Sequence, residues 1–361
     1  MTLAGGGEIT VLIPTYRRPL LLERAIRSVL AQQYPRVRAS VFDNASGDGT
    51  AAVVARIRAE DPRVRYHCHE RDIGISGNFH FALGTVETEF FSILCDDDFL
   101  LPGFAEAAAR GFAAHPDAAM ACCDILQMNT RGDVVRERAL AGCGEGRYDV
   151  PAGLLAMVRH GTPTLTGVVF RREVIAENGG FDQKVGAASD MDYVLRLAAR
   201  HPFVVSHAAG AVFAPESIGE IRSPRGSLEW FWPGWMVMVE GLSSLDVLSP
   251  GDAREVRERL LAMIVRYLSF IGAAAVVRGH FEEARATADV LAGPLARPSR
   301  ARAVRLLAAA CQRVPGLHAG ARAAFRARAE ARHLWHRVRG ALLRPDAEAW
   351  RVERSPPASS R

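Results

Sequence analysis

The stretch Phe90-Phe-Ser-Ile-Leu-Cys-Asp-Asp-Asp-Phe-Leu-Leu-Pro102 joins an apolar, β-rich run to three consecutive aspartates and a second short apolar turn. Such a run predicts a buried strand with Asp96, Asp97 and Asp98 at its carboxyl end. In open α/β sheets that edge faces the crevice where ligands bind. Three adjacent carboxylates repel one another, and partial burial raises their pKa values unless a cation compensates. A hard divalent ion does so, because Mg2+ and Mn2+ take oxygen ligands and share them with phosphates. The other reading of the triplet is a solvated acidic turn ahead of the next helix.

Outward from this strand the chain alternates strand and helix patterns. Residues 9–13 (Ile-Thr-Val-Leu-Ile) are a β-rich apolar run ended by Pro14, which predicts a buried parallel strand. Pro19 opens a helix in which Leu22, Ala25, Ile26, Val29 and Leu30 recur at i, i+3, i+4 spacing. Further strands are predicted at 39–43, 64–68, 118–126, 168–170 and 204–213. Helices are predicted after Gly49, over 79–86, from Pro102 to His115 and over 191–199. Residues 130–150 are glycine-rich and charged, which predicts a loop. The pattern is that of an α/β protein with a doubly wound mixed sheet.

Beyond Trp230 the chain reads as helix alone. We therefore expect a first domain over 1–228, a helical C-terminal region over 229–345, and disorder over 346–361. The length of 361 residues agrees, since it exceeds what one hydrophobic core usually serves. The run 260–277 is long and apolar but carries Arg266 near its middle, so a buried bundle helix is expected rather than a membrane span.

The six cysteines are scattered with no CxxC pair, which excludes a disulfide scaffold and a thiolate zinc site and suits a reducing compartment. Met1-Thr-Leu-Ala-Gly-Gly-Gly-Glu8 has no basic start and no apolar core of a secretory leader, so a cytoplasmic protein is expected. The net charge of +5 hides an asymmetry. Residues 297–361 carry 15 arginines against four acids, a charge of +11, and residues 1–296 carry the balancing −6. A basic tail on an acidic body predicts an anionic partner. Over 321–343 the arginines are interleaved with Phe325, Leu334, Trp335 and Val338. Two readings stand side by side: a basic amphipathic helix on the inner face of an anionic membrane, and a solvated helix whose Arg stems cover the bundle. No base-reading module is visible, so nucleic acid is not an expected partner.

Three further constellations carry candidate chemistry. At the end of the first strand, in Ile13-Pro-Thr-Tyr-Arg-Arg18, Tyr16 could stack on a nucleobase or pack as a half-buried aromatic, and Thr15 could meet phosphate. Asp43-Asn-Ala-Ser-Gly-Asp-Gly-Thr50 offers acceptors at Asp43 and Asn44, while Ser46 and Asp48 could cap the next helix. Gly179-Gly-Phe-Asp182 is followed by Ser189-Asp-Met-Asp192, which puts Asp190 and Asp192 at a helix start. Either acid could complement the helix dipole or accept a proton from an attacking hydroxyl.

Together, in this order over about residues 8–220, these elements resemble glycosyltransferase family 2, enzymes of GT-A fold that use nucleotide-diphospho-sugars. Ile73-Gly-Ile-Ser-Gly-Asn-Phe79 adds that family's glycine-containing loop, and Asp96-Asp97-Asp98 stands at its DxD position. Three positions depart from the family pattern: Arg17 stands where Asn is common, Asn44 where a second Asp is, and Ser189 where Glu is frequent. The resemblance implies an inverting transfer from a nucleotide-sugar donor to a glycan, lipid-linked or small-molecule acceptor. It implies donor contacts from Pro14, Thr15, Tyr16, Asp43, Asn44, Asn78, Asp96 and Asp97. It also implies Mg2+ or Mn2+ on Asp96 and Asp98, and Asp190 as the base. On the acceptor side it suggests Thr166, Gly167, Asp192, Trp230 and Trp232; the aromatics could instead glue the helical region to the sheet. His207 is a candidate further ligand, although relatives often show an Arg-x-His pattern where this chain has Val212-Phe-Ala-Pro-Glu-Ser-Ile-Gly219.

Two other functions compete. A sugar-nucleotide nucleotidyltransferase would want a glycine-rich basic loop after the first strand, where this chain has Ile13-Pro-Thr-Tyr16. A noncatalytic protein acting through its arginine-rich tail would not need three aspartates.

Overall fold

The computed structural model describes residues 7–128, 134–136, 140, 142–214, 227–314, 316–324 and 327. Its sheet grows from β1 (Ile9–Thr15), all seven residues of which are buried. β1 pairs in parallel with β2 (Val37–Asp43) on one side and with β4 (Phe90–Ile93) on the other, and β3 (Val64–Cys68) extends the parallel half beyond β2. The far half adds β9 (Val168–Arg171), β6 (Met120–Met128), β10 (Phe203–Phe213) and the two-residue β5 (Phe99–Leu100). β9 runs antiparallel to both β4 and β6, β10 is parallel to β6, and β5 is antiparallel to β10. The order is β3-β2-β1-β4-β9-β6-β10-β5, the mixed doubly wound sheet that the alternating pattern predicts. Residues 130–150 are not all loop: β7 (Val134–Arg136) pairs with β6, and β8 (Gly146–Tyr148) pairs with β10.

Because side chains alternate along a strand, β1 feeds two cores. Ile9, Val11 and Ile13 pack with α1 (Pro19–Leu30), α2 (Thr50–Glu60) and α4 (Phe104–Ala114) on one face. Leu12 points to the other face, shared with Phe91 of β4 and covered by α3 (Gly74–Gly84), α5 (Ala152–His160), α6 (Glu173–Asn178) and α7 (Ser189–Ala198).

The C-terminal helices build onto that second face. These are α8 (Ser227–Ser243), α9 (Pro250–Arg278), α10 (Phe281–Ala292) and α11 (Pro298–Arg313), and their buried residues belong to the same core as Leu12 and Phe91. α8 lies against the 3-10 turn Gln183–Ala188 so closely that a Cβ on Gly234 would collide with the Val185 carbonyl. α9 contains the apolar run 260–277 and is long enough to cross a bilayer. Its Leu260, Ile264, Leu268, Ala275 and Val276 are buried among α8, α10 and α11, while Tyr267 and Phe270 of the same run are exposed. Burial of each large aliphatic side chain contributes about 1.5–3 kcal/mol. Ser249 caps α9 by accepting from the Asp252 amide, and Gly279 ends it at φ 85°. Of the basic stretch 321–343, only 321–324 and 327 are among the described residues; 346–361 and 215–226 lie outside them.

Candidate active site

The three aspartates follow β4, where the chain leaves the sheet through a tight turn closed by the Asp98 amide donating to the Cys95 carbonyl at 3.0 Å. They are nearly inaccessible: 6% exposed at Asp96, 3% at Asp97 and 0% at Asp98. A different part of the molecule serves each. The Thr15 hydroxyl at the end of β1 donates to Asp96 Oδ2 at 2.7 Å. Arg18 Nη1 reaches Asp96 Oδ1 at 3.2 Å and Asp97 Oδ2 at 3.1 Å. Arg24 of α1 donates to the Asp97 main-chain carbonyl at 2.5 Å. Asp98 accepts from the Thr166 hydroxyl at 2.5 Å and from the Ala214 amide, just past β10, at 2.9 Å.

The electrostatics follow from this burial. Desolvation raises the pKa of Asp96, against the pull of Thr15 and Arg18. Desolvation, with the charge of Asp97 second, pushes Asp98 up to about 7 despite its two donors. The Cys95 thiol is raised well above its ordinary value by burial, then by the negative charges of Asp98, Asp97, Asp96 and Asp190. Asp190, from the first turn of α7, lies near enough for its charge to act on the same thiol. It keeps solvent access, yet enough protein surrounds its carboxyl for desolvation to raise its pKa. Its Oδ1 accepts from the Met191 amide at 2.7 Å.

Hard oxygen donors in a buried, mutually repelling cluster suit a divalent cation. The resemblance assigns the metal to Asp96 and Asp98. In the structure the ligand atoms that gather within 4.8 Å of one another are those of Asp97, Asp98 and Cys95, while Asp96 is turned to Thr15 and Arg18.

Pro14 and Thr15 pair with Phe42 and Asp43 in register, so the ends of β1 and β2 form one rim. Tyr16 stands on this rim, 37% exposed, with the Arg17 guanidinium 4.9 Å from its ring centre. Arg17 has φ 57°, a left-handed conformation that Asn tolerates better than most residues. Here it is held by its amide and Nε, which donate to Ser46 Oγ at 2.9 Å and the Ser46 carbonyl at 3.2 Å. Ser46 thus braces Arg17, and its amide donates to Asp43 Oδ1 at 2.9 Å; it does not cap α2. Asp43 also accepts from the Tyr66 hydroxyl at 2.7 Å. Asn44 bridges to Asp72 at 2.6 Å and to the Ile73 amide at 2.9 Å, which ties the 72–74 loop to the rim. Asn78 donates to the Phe42 carbonyl at 2.9 Å and shares a 3.0 Å hydrogen bond with His69. Asp43, Asn44 and Asn78 are all buried, their polar atoms engaged in bracing the rim.

The predicted acceptor-side residues scatter. Thr166 turns to Asp98. Gly167 allows a close approach to β6, where a Cβ would run into Ile125 and the Cys123 carbonyl. Asp192, two residues past Asp190, is buried and paired at 2.7 Å with Arg196, which also holds the carbonyls of Asn178 and Gly180. It anchors α7 to the Gly179 loop. Trp232 packs half-buried against the shared core, and Trp235 meets Tyr267 edge-on at 4.9 Å, so these aromatics glue helices. The Trp230 side chain lies outside the described residues. His207 sits where β10 is irregular and bonds Asp124 at 2.8 Å. Sequence reasoning missed Arg18, Arg24, Cys95 and Ala214; an arginine immediately before the Pro19 helix was the one signal available for Arg18.

A mixed sheet whose central strand runs into a buried acidic triplet is of the GT-A type, the fold of the solved structures it resembles. Residues 10–177 match the family model described as Glycosyl transferase family 2, and this part of the chain belongs to that family. A protein of Mycobacterium tuberculosis (strain CDC 1551 / Oshkosh), "Uncharacterized protein MT1568", is 31% identical over 206 residues, 53% of this chain and 62% of that one. The "GalNAc(5)-diNAcBac-PP-undecaprenol beta-1,3-glucosyltransferase" of Campylobacter jejuni is 35% identical over 111 residues, 29% of this chain and 36% of that one. The chain thus spans less than two thirds of these curated relatives. Among solved structures, S. aureus TarS 1–349 in complex with UDP-GlcNAc aligns with TM-score 0.61 at 16% identity, covering 85% of this chain and 92% of that one. Mannosyltransferase PcManGT from Pyrobaculum calidifontis, in complex with GDP-Man and Mn2+, aligns with TM-score 0.52 at 20% identity, covering 85% and 87%. Both likenesses are of fold.

Proposed function

We propose that this chain is an inverting glycosyltransferase, with residues 1–228 as its catalytic unit and 229–345 as a helical support. It moves a sugar from a nucleotide-diphospho-sugar to an acceptor hydroxyl or amine. The observation that carries this reading is the buried cluster of Asp96, Asp97 and Asp98 at the end of β4, with the Asp97, Asp98 and Cys95 ligand atoms within 4.8 Å of one another and the charge of Asp190 reaching the same thiol. The neighbours with UDP-GlcNAc and with GDP-Man support a nucleotide-sugar donor, and the Campylobacter relative's name supports a lipid-linked acceptor.

In this reading Asp98 and Asp97, joined by Asp96, hold Mg2+ or Mn2+. The cation supplies charge that offsets the leaving nucleoside diphosphate. Tyr16 offers a ring face to the base, and Thr15 fixes the Asp96 carboxylate at the mouth of β1. Asp190 accepts the acceptor's proton as its oxygen or nitrogen attacks the anomeric carbon opposite the leaving group. The raised pKa of Asp190 makes it a better proton acceptor than a free carboxylate. A cytoplasmic protein touching an anionic membrane fits a lipid-linked acceptor. α11 supports it: Leu306 and Leu307 are exposed on a helix with four arginines and no acid.

The test is incubation with labelled UDP-, GDP- and dTDP-sugars and Mn2+. Transfer or donor hydrolysis that EDTA abolishes is expected, and Asp190→Asn should bind donor but lose transfer by about 10²–10⁴-fold. Activity indifferent to EDTA would refute the cation role, and an unchanged rate in Asp190→Asn would remove it as the base.

A further inference from the structure

Two nearly buried carboxylates share one guanidinium nitrogen. Arg18 Nη1 lies 3.2 Å from Asp96 and 3.1 Å from Asp97, while the Arg18 side chain itself is 25% exposed. Arg24, the other arginine at the triplet, is held differently. It grips the Asp97 main-chain carbonyl and lies over the Phe99 ring at 5.0 Å, and its charge acts on Asp98.

A divalent cation on the oxygens that Arg18 grips would stand within a few ångströms of the guanidinium, and the two positive charges compete for the carboxylates. Asp96 is turned away from Asp98 by the very contacts that Thr15 and Arg18 make. For Asp96 to join Asp98 around one cation, Arg18 has to let go. Its backbone does not need to move: the Arg18 carbonyl accepts from the Leu22 amide at 3.0 Å and opens α1. The released guanidinium therefore stays tethered beside the helix N-terminus, a position that favours anions. A metal–diphosphate pair presents that polarity in complement, its positive end to the aspartates and its negative end to Arg18 and α1. Guanidinium is also well shaped for paired phosphate oxygens.

We propose that Arg18 is an exchangeable counter-cation. It neutralises Asp96 and Asp97 until a divalent cation takes their oxygens, and then it turns to the diphosphate of the donor. This inference rests on the donor reading above. Its consequence is that Mn2+ alone binds against competition from Arg18, whereas Mn2+ and nucleotide together bind cooperatively.

The experiment measures two affinities in Arg18→Met and the unaltered protein. Mn2+ alone is titrated by the loss of its free-ion spin resonance signal, and UDP or GDP is titrated by calorimetry in saturating Mn2+. Losing one charge-assisted contact is worth about tenfold. Arg18→Met is expected to bind Mn2+ alone tighter and the nucleotide weaker, each by about that factor. Arg18→Lys is expected to restore both toward the unaltered values, and Arg18→Gln, should Arg18→Met fail to fold, carries the Met expectation. Mn2+ affinity that is unchanged or weaker in Arg18→Met would overturn the proposal and make Arg18 a fixed brace. Failure of the unaltered protein to bind either nucleotide would instead sink the donor reading, and the Mn2+ titration would still judge whether Arg18 competes for the aspartates.

Discussion

Replacing Asp98 by Asn should uncouple stability from pH in a way that can be worked out beforehand. Asp98 is fully buried, and its pKa rises from 3.8 to about 7. Below about pH 3.8 the folded and unfolded chains both hold the proton, so nothing is lost. Between about 3.8 and 7 the unfolded chain has ionised while the folded one has not, so the fold loses stability as pH rises. The slope is about 1.4 kcal/mol per pH unit, and the loss levels off near 4 kcal/mol, roughly, above pH 7. Asn fits the same hydrogen bonds: its carbonyl accepts from the Ala214 amide, and its NH2 donates to Thr166, whose hydroxyl can accept instead. Urea unfolding with EDTA at pH 5, 6, 7 and 8 should therefore show Asp98→Asn gaining on the unaltered protein by about 1.4 kcal/mol per unit up to pH 7 and then running parallel. Adding Mn2+ at pH 8 should stabilise the unaltered protein and leave Asp98→Asn largely where it was. Parallel curves throughout would refute the claim that burial keeps Asp98 protonated.

Gly234→Ala should lower stability by about 3 kcal/mol, because the added methyl meets the backbone of Val185 rather than a side chain that could yield; an unshifted melting temperature would contradict the packing of α8. His207→Ala should leave transfer intact while costing about 1–3 kcal/mol, since it deprives the buried Asp124 carboxylate of a 2.8 Å partner; loss of metal binding would make it a ligand after all. Leu306→Glu with Leu307→Glu should release the protein from vesicles containing anionic lipid in a flotation assay, and a full-length protein that ignores such vesicles would end the membrane reading.

β1 was legible because it is buried on both faces and reads as a nearly continuous apolar run from Ile9 to Ile13. β5, β7 and β8 were not, since two or three residues hold no period, and β5 and β8 pair with β10 far along the chain. The site divides the same way. That Asp96, Asp97 and Asp98 sit at the end of a strand follows from local pattern alone. Their partners do not, because Thr166 and Ala214 are 68 and 116 residues away from Asp98. Asp190 and Asp192 look alike as helix-start acids, and only the fold separates them: one is exposed with its charge reaching Cys95, and the other is buried and locked to Arg196.

The hydrogen bond from Ala214 to Asp98 has a consequence for how the protein is made. Residue 214 lies beyond the segment 10–177 matched by the family, so the last brace of the triplet comes late in synthesis. A nascent chain that has completed β1 and β4 already has Thr15 beside Asp96, yet its third carboxylate waits for β10 to add to the growing sheet. The carboxylate cluster is therefore fully braced only once β10, the last strand in the sequence among the described residues, has joined the sheet.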